Sequence, residues 1–556
     1  KRKILNACDA CRKKKIKCDG TENTVCTNCK TKNLNCQYTP TSTKRGPRQG
    51  YIETLEKRLE LMEKLLQPLK NIELKNFQSI SSSNHSTPHL TADGDSISSD
   101  SSLLFPSIPS PPTPPVPVVS PEVSEHLISL FFSYQHPVLS IIHRTTFINS
   151  LQEGKQCSLL LYTIYALASR FSNHPEVKRD PCHSAGEEYI AHAKILLEST
   201  SYSTPFLSTV QALVLMSLHE FGCDRYPTSW MYSGLAVRMG QHLNLYCTDK
   251  KDASSKLDWI EAETRRRTWF GCCLMDRIIS TKTSWPMAIH DEDCQVRFPS
   301  DDYNWENSLA PIAEINNDIF PLQSNSNNTS IPDHMFHFGQ LVSLMGQINQ
   351  YSNRSTTNGK GDNSEEELKR LDQILNEWHV NLPPHLKYNK DFLCSKSPES
   401  QMNSSAIILL HSLFHAITIV LHRSNVGRYL NLMESINDSH ISFIRCVQSS
   451  NFIATMALDI APHRFYHYIP FYPYALYTAG TIHANKSFSI DAQQAESSRQ
   501  ALELIYKSLR ELETYWGICK TYCTSLRGLY ALRSSRDNIS STNNNENPLS
   551  CTVMSW

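Results

Sequence analysis

The chain has 556 residues, 40% of them hydrophobic and 19% charged, enough apolar content for a large core and too much for a chain that is disordered throughout. Its 54 Lys or Arg balance 54 Asp or Glu, yet residues 1–50 hold 13 basic against 3 acidic side chains, so a +10 head precedes a body of −10. The chain opens with Lys1-Arg2-Lys3, from which no apolar leader is expected, and Ser412 and the histidines interrupt the best membrane-spanning candidate at 406–421.

Cys8, Cys11, Cys18, Cys26, Cys29 and Cys36 follow a C-x2-C-x6-C-x7-C-x2-C-x6-C spacing. Six thiolates are two short of the eight ligands that a pair of tetrahedral zinc ions requires, so two sulfurs must bridge both metals. The halves are quasi-repeats, and the symmetric choice makes Cys8 and Cys26 the bridges. Each C-x2-C pair can open a short helix, where orphan amides and the local dipole suit thiolates. A disulfide knot or a redox pair is the competing reading, but two pairs each followed by C-x6-C have no redox role. Between Cys11 and Cys18 stand Arg12, Lys13, Lys14, Lys15 and Lys17, five cations in six positions on a predicted short helix. Such a head is steered to phosphate, with salt-dependent affinity.

Residues 7–36 resemble the fungal binuclear zinc cluster transcription factors, with every metal position in place. The resemblance implies two Zn2+ per chain, one held by Cys8, Cys11, Cys18 and Cys26 and the other by Cys8, Cys26, Cys29 and Cys36. It also implies double-stranded DNA as partner, with Lys14 and Lys15 reading a CGG triplet in the major groove. Lys15 is the leading base reader, while Arg12, Lys13 and Lys17 suit phosphates. The plainer reading is a solvated basic face that serves only nuclear import. The loop from Asp19 to Val25 departs from many members in having no proline.

The zinc cluster domain is thus placed at 1–36, followed at 37–50 by an extended basic linker whose Lys44, Arg45 and Arg48 add DNA contacts. Ile52, Leu55, Leu59, Met62 and Leu66 then recur at steps of three and four, the seam of a short parallel coiled coil over 51–67 that predicts a homodimer. With Ile52 at position a, Arg58 and Glu63 can pair across the dimer, and Pro68 ends the helix. Little more than two heptads is marginal for an isolated helix, so dimerisation off DNA should be weak. An amphipathic helix packed on the body is the alternative.

Residues 77–121 contain 25 Ser, Thr or Pro in 45 positions and no Lys or Arg, a composition that predicts a disordered linker. Thr87, Ser110, Thr113 and Ser120 each precede a proline, as proline-directed phosphorylation requires, and Asp93 to Phe105 has the acidic-then-apolar character of an activation segment. From 122 to 536 the apolar period becomes helical, and a large all-α regulatory domain is expected, with polar surface loops at 323–332 and 354–365 and a disordered tail at 537–556. Thr204-Pro205 reads as a cap and first turn, Val210, Leu213, Val214, Leu218 and Phe221 as one buried face, and Gly222 as the stop. Leu502, Ile505, Leu509, Leu512 and Trp516 repeat the pattern. The stretches 230–246, 263–277 and 407–423 resemble the middle homology region of fungal regulators, which implies a helical domain that restrains activity, contacts coregulators or senses a small-molecule effector.

The run Arg265, Arg266, Arg267 with Asp276 and Arg277 reads as self-satisfying charge around a packed helix, with an anion site as the sharper alternative. His411, His415 and His422 read as core histidines, and His219-Glu220 followed by Cys223 as a chance near miss of a zinc motif. No phosphate-binding glycine loop or nucleophile elbow occurs, so the mostly α fold is expected to belong to a nuclear regulator of RNA polymerase II transcription, not an enzyme. A ligand sensor or scaffold with a structural zinc head is the alternative. The first residue is not Met, from which an upstream segment is expected.

Overall fold

The computed structural model describes residues 7–19, 25–38, 116–200, 204–249, 257–309, 334–357, 362–394, 398–430, 441–463 and 465–542. The basic linker, the coiled-coil seam and nearly all of the Ser/Thr/Pro-rich stretch lie outside them. Among the described residues there is no β-strand. The chain divides into two compact units, residues 1–109 and 110–556.

In the first unit two short helices, α1 (Asp9–Lys13) and α2 (Thr27–Thr31), lie side by side. Their interior is made of Cys8, Cys11, Cys18, Cys26 and Cys29, with Ala7, Ala10, Cys36 and Tyr38 at its edge. Among the described residues no aliphatic cluster supports it. Polar clasps tie the halves together: Asp19 accepts the Thr27 amide at 3.0 Å at the start of α2, and the Asn28 side chain donates to the Lys17 carbonyl at 2.9 Å. The Asp9 amide donates to the Gln37 carbonyl at 2.9 Å, closing the unit.

The second unit is built from helices around one continuous apolar core that runs from Val123 to Leu526. It opens with α3 (Pro121–Tyr134), where Pro121 supplies the fixed φ of a first turn and the Ser120 side chain accepts the Val123 amide. Ordered structure therefore starts before residue 122. Val119 packs on the core and Tyr162 donates to the Pro117 carbonyl at 3.2 Å, so the end of the stretch read as linker belongs to the body.

Next come α4 (Arg144–Gln152), α5 (Ser158–Ser169), α6 (Glu187–Glu198) and α7 (Leu207–Gly222). The last of these is the hub. It packs against α5, α8 (Tyr226–His242) and α9 (Trp259–Thr283), and every residue from Thr209 to Gly222 is buried. The predicted face of Val210, Leu213, Val214, Leu218 and Phe221 is thus only part of what is covered. Two local expectations are corrected. The helix starts at Leu207, beyond Thr204-Pro205, with Phe206 at its N-cap and no side-chain cap. Gly222 is inside the helix, and the chain reverses at Asp224, whose φ of 63° lets the Arg225 amide reach the Glu220 carbonyl at 2.9 Å. Gly222 is there for space: a Cβ would lie 2.6 Å from Arg170 Nη1 and 2.7 Å from the Trp516 ring.

After α10 (Asp302–Glu306), α11 (His334–Thr357) and α12 (Asp362–Val380) take up residues 354–357 and 362–365 of the predicted loop at 354–365. The other predicted loop, 323–332, lies outside the described residues. Within α13 (Pro398–Leu430), residues Ser404–Arg423 are long and apolar enough to cross a membrane, contrary to the sequence expectation, since Ser412 and the histidines do not cancel the surrounding aliphatics. That segment is almost wholly buried in the body, between α11, α14 (Ile441–Ile460) and α15 (Tyr472–Lys486). Finally α15 packs on α16 (Ala492–Leu512) and α17 (Ile518–Thr542), which carries helix past residue 536 into the predicted tail. Ile505, Leu509, Leu512 and Trp516 are fully buried, as the repeat of apolar residues predicts, and the Trp516 indole donates to the His467 carbonyl at 2.8 Å.

Candidate metal centre and nucleic-acid interface

Each C-x2-C pair sits at a helix start. Cys8 precedes α1 and Cys11 lies one turn into it, while Cys26 is the N-cap of α2 and Cys29 lies one turn on. Three residues of helical spacing place both sulfurs of a pair on one face. The two faces meet. The ligand atoms of Cys8, Cys11, Cys18 and Cys26 all lie within 4.8 Å of one another, as do those of Cys8, Cys26, Cys29 and Cys36. Cys8 and Cys26 are common to both groups, as the symmetry of the spacing predicts.

The separations fit zinc. Sγ of Cys8 is 3.8 Å from Cys26 and 3.6 Å from Cys29, and Cys11 is 3.6 Å from Cys26. A tetrahedron with Zn–S bonds of about 2.3 Å has edges of about 3.8 Å, whereas a disulfide requires about 2.05 Å. None of the six is in a disulfide. Amide donors support the sulfurs: Cys11 N–H points at Cys8 at 3.5 Å and Cys26 N–H at Cys36 at 3.4 Å, and the Tyr38 hydroxyl lies 3.6 Å from Cys18. The Cys11 amide holds the Cys8 thiol down to about 6, whereas burial and neighbouring sulfurs push Cys11 up to about 12. Burial also raises Cys26 and Cys29. Six thiolates in this space therefore require cationic compensation, which two divalent ions supply.

The basic run is not all helical, as the sequence had suggested. Helix α1 ends at Lys13, and Lys15 takes φ of 51°, which lets the Ile16 amide reach the Cys11 carbonyl at 3.1 Å. The second half repeats the device, with Asn33 at φ 50° and the Leu34 amide on the Cys29 carbonyl at 2.9 Å. Asparagine tolerates this conformation; lysine does so less readily, so Lys15 is held there by the cysteine frame. Lys13, Lys14, Lys15 and Lys17 are all exposed, and Arg12 lies in α1. Lys44, Arg45, Arg48, Ile52, Leu55, Leu59, Met62 and Leu66 lie outside the described residues.

In the body, the arginine run is structural. Arg267 is fully buried, bonded to Glu263 at 2.9 Å and Asp302 at 2.6 Å, with its guanidinium 4.0 Å above the Trp305 ring. Arg266 pairs with Asp249 at 2.6 Å and Glu263 at 3.0 Å, and Arg277 with Asp291. Asp276 accepts the Ala288 and Ile289 amides at 3.0 and 3.1 Å. The charges are satisfied as expected, though by partners outside the run that fasten flanking segments to α9. The histidines are likewise core groups: His411 meets the Leu386 carbonyl at 2.9 Å, His415 the Ser449 hydroxyl at 3.2 Å, and His422 Asp372 at 3.0 Å. One grouping, His219 with Cys223, was set aside in the sequence as a chance near miss, and Glu187 was not joined to it. Glu187, His219 and Cys223 bring their ligand atoms within 4.8 Å of one another, although Glu187 is remote in the chain.

Residues 6–45 match the fungal Zn(2)-Cys(6) binuclear cluster domain, which binds two zinc ions, and residues 128–380 match the fungal specific transcription factor domain. The carrier at 407–423 lies beyond the second match. Similar proteins include two Zn(2)-C6 fungal-type transcription factors of Fusarium oxysporum f. sp. lycopersici. FTF1c is 25% identical over 95% of this chain and 62% of its own length, and FTF2 is 26% identical over 95% and 54%. An uncharacterized transcriptional regulatory protein of Schizosaccharomyces pombe is 24% identical over 74% of this chain and 48% of its own. The chain thus spans roughly half to three fifths of the length of these relatives. With the sulfur geometry and both domain matches in agreement, the chain carries the two domains of the fungal zinc cluster transcription factors, of which the two-zinc head is a DNA-binding module.

Proposed function

We propose that this protein regulates RNA polymerase II transcription in the nucleus by reading CGG-type half-sites as a homodimer, and that it is not an enzyme. The observation that carries the reading is the turn after Cys11. There Lys14 and Lys15 stand exposed on a frame of six converging sulfurs, so their ammonium groups are presented from a fixed backbone. Cys8, Cys11, Cys18, Cys26, Cys29 and Cys36 hold the zinc pair, with Cys8 and Cys26 shared. Lys15 reads guanine, and Arg12, Lys13, Lys17, Lys44, Arg45 and Arg48 contact phosphates. The seam from Ile52 to Leu66 joins two heads, which raises effective concentration on paired half-sites. The helical body contacts coregulators.

Gel shifts with duplexes bearing CGG pairs test this, with and without chelator. Binding should be selective and zinc-dependent, and equal binding to scrambled duplexes would overturn it. Lys15→Ala should cost about 1–3 kcal/mol at the contacted guanine while zinc content stays unchanged.

A second reading makes the body a ligand sensor or scaffold and the zinc head structural or a tether. It is favoured by a half-enclosed polar hollow of about 320 Å³ lined by Gln241, Tyr246, Trp269, Ile289, His290, Asp293 and Cys294. An effector there would fit a small polar molecule. On the scaffold form of this reading, Lys15→Ala has no effect on DNA affinity.

A further inference from the structure

We propose that Glu187, His219 and Cys223 form a third metal site, in the helical body, for a thiophilic divalent ion, zinc in the first instance. Glu187 is the first residue of α6, His219 lies in the last turn of α7, and Cys223 is the C-cap one turn further on. The i, i+4 spacing of His219 and Cys223 puts both on one helix face, and Glu187 reaches them from the neighbouring element.

The independent observation is His219 itself. It is 0% exposed, and neither ring nitrogen makes a hydrogen bond. Its nearest carboxylate oxygen, Glu220 Oε1, is 3.9 Å away and already meets Lys194 at 2.9 Å. A buried imidazole without a partner is costly; a metal ion in the space it shares with a carboxylate and a thiol removes that cost.

The donor set is a thiolate, an imidazole and a carboxylate, which suits zinc and leaves one coordination position open. Arg225 holds Glu187 Oε1 at 2.9 Å, orienting the carboxylate. The Glu187 side chain is 45% exposed and Cys223 is half-buried, so the ion can exchange with solvent. Binding replaces the Cys223 thiol proton, which leaves to water, so the ion adds one net positive charge. Arg170, Arg225 and Lys194 flank the cluster, with Glu220 the second carboxylate there. Arg170 is fully buried and stacked 4.5 Å from the Trp516 ring. Those cations weaken a cation site, so this zinc is held less tightly than the pair in the head and leaves first.

The test uses the full chain, equilibrated with zinc and then stripped by graded chelator, with metal content measured at each step. Three zinc per chain are expected, one released at lower chelator concentration than the other two. Cys223→Ser should hold two and lose the early step, and should also lose the thiolate-to-cobalt absorption attributable to the body after cobalt substitution. Glu187→Gln, at an exposed edge where folding is least threatened, should shift the early step to at least tenfold lower chelator. Two zinc per wild-type chain, or three retained by Cys223→Ser, would overturn the proposal without touching the reading of the head.

Discussion

The two units of this chain are held together by different forces. Among its described residues the head buries sulfur and almost no aliphatic carbon, so that interior coheres through what the sulfurs bind. The body buries one continuous apolar core, in which α7 and the central part of α13 are surrounded on every side. The contrast teaches how each should fail. A unit cross-linked by two shared sulfurs loses everything at once, whereas a unit held by many small contacts loses stability in proportion to what is removed.

The largest effect expected is therefore in the head. Removing zinc, or replacing a shared sulfur by Cys26→Ser, should abolish the structural-zinc contribution, on the order of 10–16 kcal/mol for small zinc domains. DNA binding and head structure should vanish while the helical signal of the body persists; a DNA-competent Cys26→Ser protein would break the comparison. Next is the buried charge of the body. Arg267→Ala takes from buried Glu263 one of its two arginine partners, Arg266 being the other, and should destabilise the body by up to ~3–5 kcal/mol, read as a lower denaturation midpoint with both head zinc ions retained. The smallest is Ile417→Val, one methyl group from the fully buried face of α13, which should cost ~0.5–1.5 kcal/mol. An all-or-none response to that single methyl would show that the body is not the graded unit its core suggests.

What could be read from the chain differs between the units for the same reason. In the head the chemistry is local and stoichiometric: ligand number, spacing and symmetry lead to Cys8 and Cys26 as bridges before any fold is known. Even there the turn at Lys15 was not legible, because a helix-friendly run of lysines gives no sign that the cysteine frame ends α1 at Lys13. In the body, apolar period located helices such as α7 and α16. Capping signals misplaced the start of α7 and mistook Gly222 for a stop, since its reason is the approach of Arg170 and Trp516 from distant segments.

The sequence by itself determined the metal chemistry, the charge division and the helical class of this protein, because coordination number, net charge and apolar period are properties of residue type and spacing alone. Tertiary structure decided which charges are structural and which donors meet. Arg267 with Asp302, and Glu187 with His219, are joined only when separate elements pack, and pairing over such distances leaves no periodic mark in the chain.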